Sequence, residues 1–136
     1  MNNAQIRKFA RYYLPLFLWL SLIFYLSSIE GSTNHKTVSV WFYIERKGAH
    51  IAEYFILTLL LLRIFVFHKK INKLRSFFLS ISISLLWAFS DEFHQRFVFG
   101  REGKLTDVII DSIGILLAVL FFLFIKKVIF AKEPKK

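Results

Sequence analysis

The chain has 136 residues, of which 56% are hydrophobic and 17 are Phe, with no Cys and a formal net charge of +10 from 19 Lys and Arg against 9 Asp and Glu. That length is about one domain. The hydrophobicity excludes disorder, and the lack of Cys excludes a disulfide scaffold and a Cys-ligated zinc site. A nucleic-acid module is excluded too, because its basic residues would be interleaved with a modest core, whereas here they stand in blocks between long apolar runs.

Four apolar stretches follow in chain order. The first runs from about Leu14 to Ile29, behind Arg7, Lys8 and Arg11. No A-x-A-like cleavage site follows it and three further spans do, so it reads as an uncleaved helix rather than a signal peptide. Pro15 is expected in its first turn, where a missing N–H costs least. The second stretch covers about Ile51–Phe67, the third Phe77–Phe89 and the fourth Val108–Ile125. A bilayer core of about 30 Å needs about 20 helical residues. The second and third stretches reach that length only if helix continues through the polar segments Glu45–Ile51 and Ser90–Arg96. Ionisable residues are thereby placed at the membrane surface rather than in free loops. The expected fold is all-α: one domain over residues 1–136, an integral membrane bundle with spans at about 14–29, 47–67, 77–96 and 107–125.

The charge blocks orient this bundle. One side carries Arg7, Lys8 and Arg11, then Arg63, Lys69, Lys70, Lys73 and Arg75, then Lys126, Lys127, Lys132, Lys135 and Lys136, with Glu133 as its only acid. The other side carries Lys36, Arg46, Lys47, Arg96, Arg101 and Lys104 with the remaining eight acids. The positive-inside rule puts both termini in the cytoplasm of a bacterium and the loops Glu30–Arg46 and Ser90–Asp107 outside. The cytoplasmic basic blocks are accounted for by topology and by contact with anionic lipid.

The chemistry collects at the outer ends of spans two, three and four. At about 100° per residue, Lys47, His50, Glu53 and Tyr54 share an arc of about 120° on span two. On span three, Asp91, His94, Gln95 and Val98 cluster around one direction, above Ser80, Ser84 and Trp87. Glu92 points about 100° away from Asp91 and is expected to pair with Arg96 at i,i+4. On span four, Asp107, Asp111, Gly114 and Ala118 form a stripe whose small residues admit another helix closely. A carboxylate or imidazole facing lipid costs several kcal/mol, so the stripes are expected to converge on one pocket. Lys47, His50, Glu53, Asp91, His94, Asp107 and Asp111 should line it, with Arg101 arriving from the loop.

These residues, read in order, carry a family resemblance. Lys47-x-x-His50-x-x-Glu53-Tyr54, then Ser90-Asp91-Glu92-x-His94-Gln95-x-Phe97 with Gly100-Arg101, then Asp107-x-x-x-Asp111-x-x-Gly114 resembles the VanZ-like family of bacterial membrane proteins. Ser27-Ser28 at the end of span one fits as well, and the likeness covers roughly residues 14–125. It implies a small four-helix protein of the cytoplasmic membrane, associated with low-level teicoplanin resistance. It implies no reaction.

Three functional readings remain open from the residues. An enzyme at the outer leaflet, acting on a lipid-linked or peptidoglycan-related anionic substrate, would use His50, Glu53, Asp91, His94 and Asp111 for acid/base work. Lys47, Tyr54, Gln95, Arg101 and Asp107 would then hold the substrate. A divalent-metal site is the second reading, since His50/Glu53 and Asp91/His94 are i,i+3 carboxylate–His pairs and Asp107/Asp111 adds two carboxylates. The third is a non-catalytic protein that binds or transports a headgroup or a glycopeptide, with span four's small residues available for homo-oligomers. Membrane lipids are expected partners and nucleic acid is not. Topology is directly testable: a reporter fused after Lys136 should report cytoplasm and one inserted within Gly31–Thr37 the outside. The same compartment at both positions would overturn the four-span reading.

Overall fold

The computed structural model describes residues 2–31 and 40–130, which leaves most of the connection between the first two helices, Lys36 included, and the last six residues outside the description. The described residues are all-helical, in four elements: α1 (Asn3–Ser28), α2 (Val40–Arg63), α3 (Lys73–Gln95) and α4 (Leu105–Phe130). The ends of α1 and α3 meet the starts of α2 and α4 at one end of the bundle, where the candidate site lies.

α1 begins well before the apolar run. Asn2 accepts from the Gln5 N–H at 2.9 Å while the Gln5 side chain accepts from the Asn2 N–H at 3.1 Å, a reciprocal cap that satisfies two otherwise orphaned donors. Pro15 therefore sits in the interior of α1 rather than in its first turn, where it removes one backbone hydrogen bond. α2 ends in a π-helical turn, Ile64–His68, closed by Lys69 N–H to the Ile64 carbonyl at 2.9 Å. Lys70 then takes a left-handed conformation, φ 53°, and Asn72 caps α3 by accepting from the Leu74 N–H at 2.9 Å. At this end Tyr12 stacks on His68 with ring centroids 4.8 Å apart, and the Arg63 guanidinium lies 5.0 Å from the Tyr12 ring centre.

Among the described residues, three segments, Asn3–Ser28, Ile44–His68 and Leu105–Ile125, are long and apolar enough to cross a membrane. α3 has the length, 23 residues or about 35 Å, but five serines reduce its apolarity. Those serines are not scattered. Ser76, Ser80 and Ser84 are fully buried, and the Ser84 hydroxyl meets that of Thr58 on α2 at 2.9 Å. Phe78, Leu86, Phe89 and Phe93 point outward instead, each more than half exposed. Polar inside and apolar outside is the reverse of a helix in water, and small inward residues are what bring helices together where lipid already solvates the apolar ones.

The tightest pairing is α2 with α4. Gly114 lies against the Ile51 carbonyl so closely that a Cβ there would overlap it, and Ala118, one turn on, is fully buried. The small-residue stripe considered for homo-oligomers is thus occupied by α2 of the same chain. Gly114→Ala is expected to destabilise by about 1–3 kcal/mol through overpacking. Gly48→Ala, on α2 with nothing near an added Cβ, should stabilise by about 0.5–1 kcal/mol. Thermal unfolding of both variants in one detergent checks this, and equal midpoints would remove the close-approach argument.

Candidate functional site

The site is built on α2. Arg46, His50 and Glu53 follow at i, i+4 and i+7, one inward face of a helix. His50 is 6% exposed, and its Nδ1 lies 3.0 Å from Oδ1 of Asp111 on α4. Asp111 is itself 0% exposed, and its other oxygen has no hydrogen-bond partner among the described residues. One helical turn earlier, Asp107 stands in the first turn of α4, where the helix dipole favours a carboxylate. It pairs with Lys47 Nζ at 3.5 Å and Arg46 Nη2 at 4.0 Å.

α3 contributes its last turn. Gln95, 1% exposed, accepts from Arg46 Nη2 at 3.2 Å. Its Nε2 donates to Asp91 Oδ2 at 3.1 Å and, more weakly, to Glu92 Oε1 at 3.4 Å. Glu92 does not pair with Arg96 as its position on the helix wheel led one to expect. It is 3% exposed and its Oε2 accepts the Lys104 backbone N–H at 2.8 Å, which draws the α3–α4 loop over the end of α3. Gly103, φ 52°, permits this fold-back, because a Cβ there would strike the Glu92 carbonyl and the Arg96 side chain.

The same loop closes the site against α1. Arg101 Nε donates to the Ile29 carbonyl at 3.0 Å and Nη2 to the Leu26 carbonyl at 3.1 Å, so a guanidinium satisfies carbonyls left open at a helix C-terminus. Gly31 N–H donates to the Phe99 carbonyl at 2.9 Å. Gly31 and Gly100 touch backbone to backbone with no room for a Cβ on either. Burial, and then the charge of Arg46, lower the Arg101 pKa, against the pull of Asp91, Glu92 and Glu53. An Arg keeps its proton in any case.

Between α1, α2, α3 and this loop lies a cavity of about 190 Å³ lined by Leu26, Ser27, Ile29, Arg46, Ala49, His50, Glu53, Asp91, Gln95 and Arg101. The expected pocket is therefore only partly the observed one. His50, Glu53, Asp91, Gln95 and Arg101 line it, and Asp111 adjoins it through His50. Lys47 and Asp107 pair with each other beside it, not within it. Tyr54 is fully buried with its hydroxyl unpartnered among the described residues. His94 turns to α1, with its Nε2 3.1 Å from Ser28 Oγ and its ring 4.6 Å from that of Phe24. The pairing of Asp91 with His94 as joint metal ligands is not formed. Among the described residues, the group that could hold a metal is His50, Glu92 and Asp107.

Two residues absent from the expected pocket belong to the site: Arg46 lines the cavity, and Glu92 is buried behind it against Gln95 and the Lys104 N–H. Both had a signal. On the helix wheel Arg46 lies between His50 and Glu53, about 20–40° from each, whereas Lys47 is at the edge of their arc. On α3 the buried direction is marked by Ala88 and Gln95. From Gln95, Glu92 is about 60° away and His94 about 100°, which reverses the ranking obtained when Asp91 is taken as the centre.

The site can move a proton at His50, present guanidinium donors from two directions, and hold a cation among carboxylates. No curated protein and no solved structure matches the chain significantly. Residues 9–126 match the family model of VanZ/LLP1, a stretch that contains every residue of the site, and the chain belongs to that family.

Proposed function

We propose that the protein crosses the bacterial cytoplasmic membrane four times with both termini inside. Its cavity, at the outer leaflet, would bind an anionic group of a lipid-linked or peptidoglycan-related ligand. The fourth span is supported by α3, where Ser76, Ser80, Ser84, Asp91, Glu92 and Gln95 face the bundle while Phe78, Leu86, Phe89 and Phe93 face outward. The orientation is supported by the basic blocks at the opposite end from the site.

The observation that carries the ligand reading is a pair of unsatisfied donors on the cavity wall. Arg46 Nε and Ser27 Oγ are buried without a hydrogen-bond partner among the described residues, and both residues line the cavity with Arg101. Buried polar groups are rarely left unpaired, and a guanidinium with a hydroxyl is a natural receptor for phosphate or carboxylate oxygen. His50, held at Nδ1 by Asp111, adds an oriented base at the same wall. That addition favours chemistry on the ligand over passive binding or transport. In a susceptible bacterium, sequestering or altering such an envelope component would lower sensitivity to teicoplanin, the phenotype associated with the family resemblance.

Arg46→Gln removes the free donor and its charge, which is worth about 1.5–3 kcal/mol for a charge-assisted hydrogen bond. Binding of a phosphate-headgroup lipid to the purified protein, followed by native mass spectrometry, should weaken by about tenfold or more. In a teicoplanin-susceptible host, His50→Gln and Asp111→Asn should return the inhibitory concentration to that of cells lacking the protein, at equal membrane abundance. Wild-type protection by all three variants would sink the functional-pocket reading. Loss of protection in Arg46→Gln alone would leave binding without chemistry.

A further inference from the structure

We infer that His50, Glu92 and Asp107 form a divalent-cation site where α2, α3 and α4 meet. One ligand atom from each of the three lies within 4.8 Å of the other two, and each comes from a different helix. The set differs from the carboxylate–His pairs visible within single helices, because packing, not sequence spacing, assembles it.

A second observation is independent of that grouping. The Nδ1 of His50 is held at 3.0 Å by Asp111, a carboxylate with no exposure whose remaining oxygen has no partner among the described residues. A carboxylate behind an imidazole fixes its tautomer and ring orientation and raises its basicity, the usual support of a metal-binding His. With Nδ1 engaged, Nε2 is the nitrogen left to coordinate.

Charge balance points the same way. The site gathers five carboxylates, those of Glu53, Asp91, Glu92, Asp107 and Asp111, against three obligate cations, Arg46, Lys47 and Arg101. Carboxylates thus outnumber cations in a setting where buried charge must be paired or coordinated, and a bound divalent cation would offset that excess. The ligands also have capacity to spare. The ion pairs of Asp107, at 3.5 and 4.0 Å, are longer than hydrogen bonds. Lys47 is half exposed and can yield its place. Glu92 engages Oε2 with the Lys104 N–H, while Oε1 has only a long contact from Gln95.

The mixed imidazole and carboxylate set suits Zn²⁺ or Mn²⁺ better than Ca²⁺ or Mg²⁺, which take mainly oxygen ligands and water. Three protein ligands leave a coordination position for water or a ligand oxygen, and His50 also lines the cavity. The inference does not rest on the anion-binding reading, although a bound cation would offset the negative surplus beside that anion.

The test uses full-length, tag-free protein in detergent, stripped with chelator and titrated with Zn²⁺ and Mn²⁺ by calorimetry, with Co²⁺ as an absorbance probe. One ion per chain is expected, together with a raised melting temperature. Glu92→Gln and Asp107→Asn should each weaken binding by about tenfold or more, and Asp111→Asn by about 10–100-fold as loss of an outer-shell partner. His68→Gln, at the opposite end of the bundle, should bind as wild type. Circular dichroism of each variant confirms that it is folded, and Glu92→Gln and Asp107→Asn carry the test should Asp111→Asn unfold. No stoichiometric ion in the wild type, unchanged binding in both ligand variants, or loss of the ion in His68→Gln would each overturn the site. Lipid binding by the metal-free protein reads the anion proposal separately.

Discussion

The contact between His50 and Asp111 is the fixed point of this molecule. A carboxylate with no exposure, two turns inside the most apolar helix of the chain, is tolerable only with a hydrogen-bonded partner. The nearest helix supplies an imidazole at 3.0 Å. That requirement sets the rotation of α2 against α4. Once the pair is made, Gly114 comes to rest on the Ile51 carbonyl, and Arg46 and Glu53, on the same face of α2 as His50, turn inward. Replacing buried ionic groups by apolar ones is often neutral or stabilising. Stability alone therefore gives little reason for a His–Asp pair here, and a site gives a good one.

The second constraint is the loop between α3 and α4. It is short and makes three attachments: Lys104 N–H to Glu92, Arg101 to the carbonyls that end α1, and the Gly31–Gly100 contact. Each uses backbone on one side, so the loop is held by groups that substitution elsewhere does not alter. α1 touches the rest of the bundle sparingly. Its far end is tied by this loop, and its middle by Trp19, whose Nε1 donates to the Glu53 carbonyl at 2.9 Å. The cavity lies beside these ties, beyond the stretch of α1 where Leu16, Trp19, Leu20 and Ile23 join the apolar core.

The four helices were legible because each is built around an apolar run, and the helical extension of the second and third through their polar ends followed from the shortness of those runs. Much of the inward stripe of α4 was legible, since Asp107, Asp111, Gly114 and Ala118 are spaced at three and four, although Val108 and Ile115 are buried beside them. The inward face of α3 was harder to place. Five polar residues crowd its last turn, Ser90, Asp91, Glu92, His94 and Gln95, and helical periodicity alone does not say which is central. The small buried residues below, Ser76, Ser80, Ser84 and Ala88, point to Gln95, and with it Glu92 comes in and His94 goes to α1. Pro15 was misplaced for a different reason: the reciprocal cap of Asn2 and Gln5 extends α1 through its charged segment, where apolarity gives no sign of helix.

The division of polarity makes chemical sense of the whole chain. Of the Lys and Arg behind its formal charge of +10, Arg7, Lys8, Arg11, Arg63, Lys69, Lys70, Lys73 and Arg75 stand at the end away from the site, all but Arg63 exposed. The site end is near balance by contrast, and its described carboxylates outnumber their cations where α2, α3 and α4 meet. An apolar bundle with that distribution concentrates its least favourable groups in one small volume and spends the close packing of Gly114, Ala118 and the α3 serines on holding them there. A low-dielectric surround strengthens every interaction that a ligand or ion could make with those groups. The same apolar wall that makes the carboxylates costly is therefore what would let Arg46, His50 and Glu92 act at full strength.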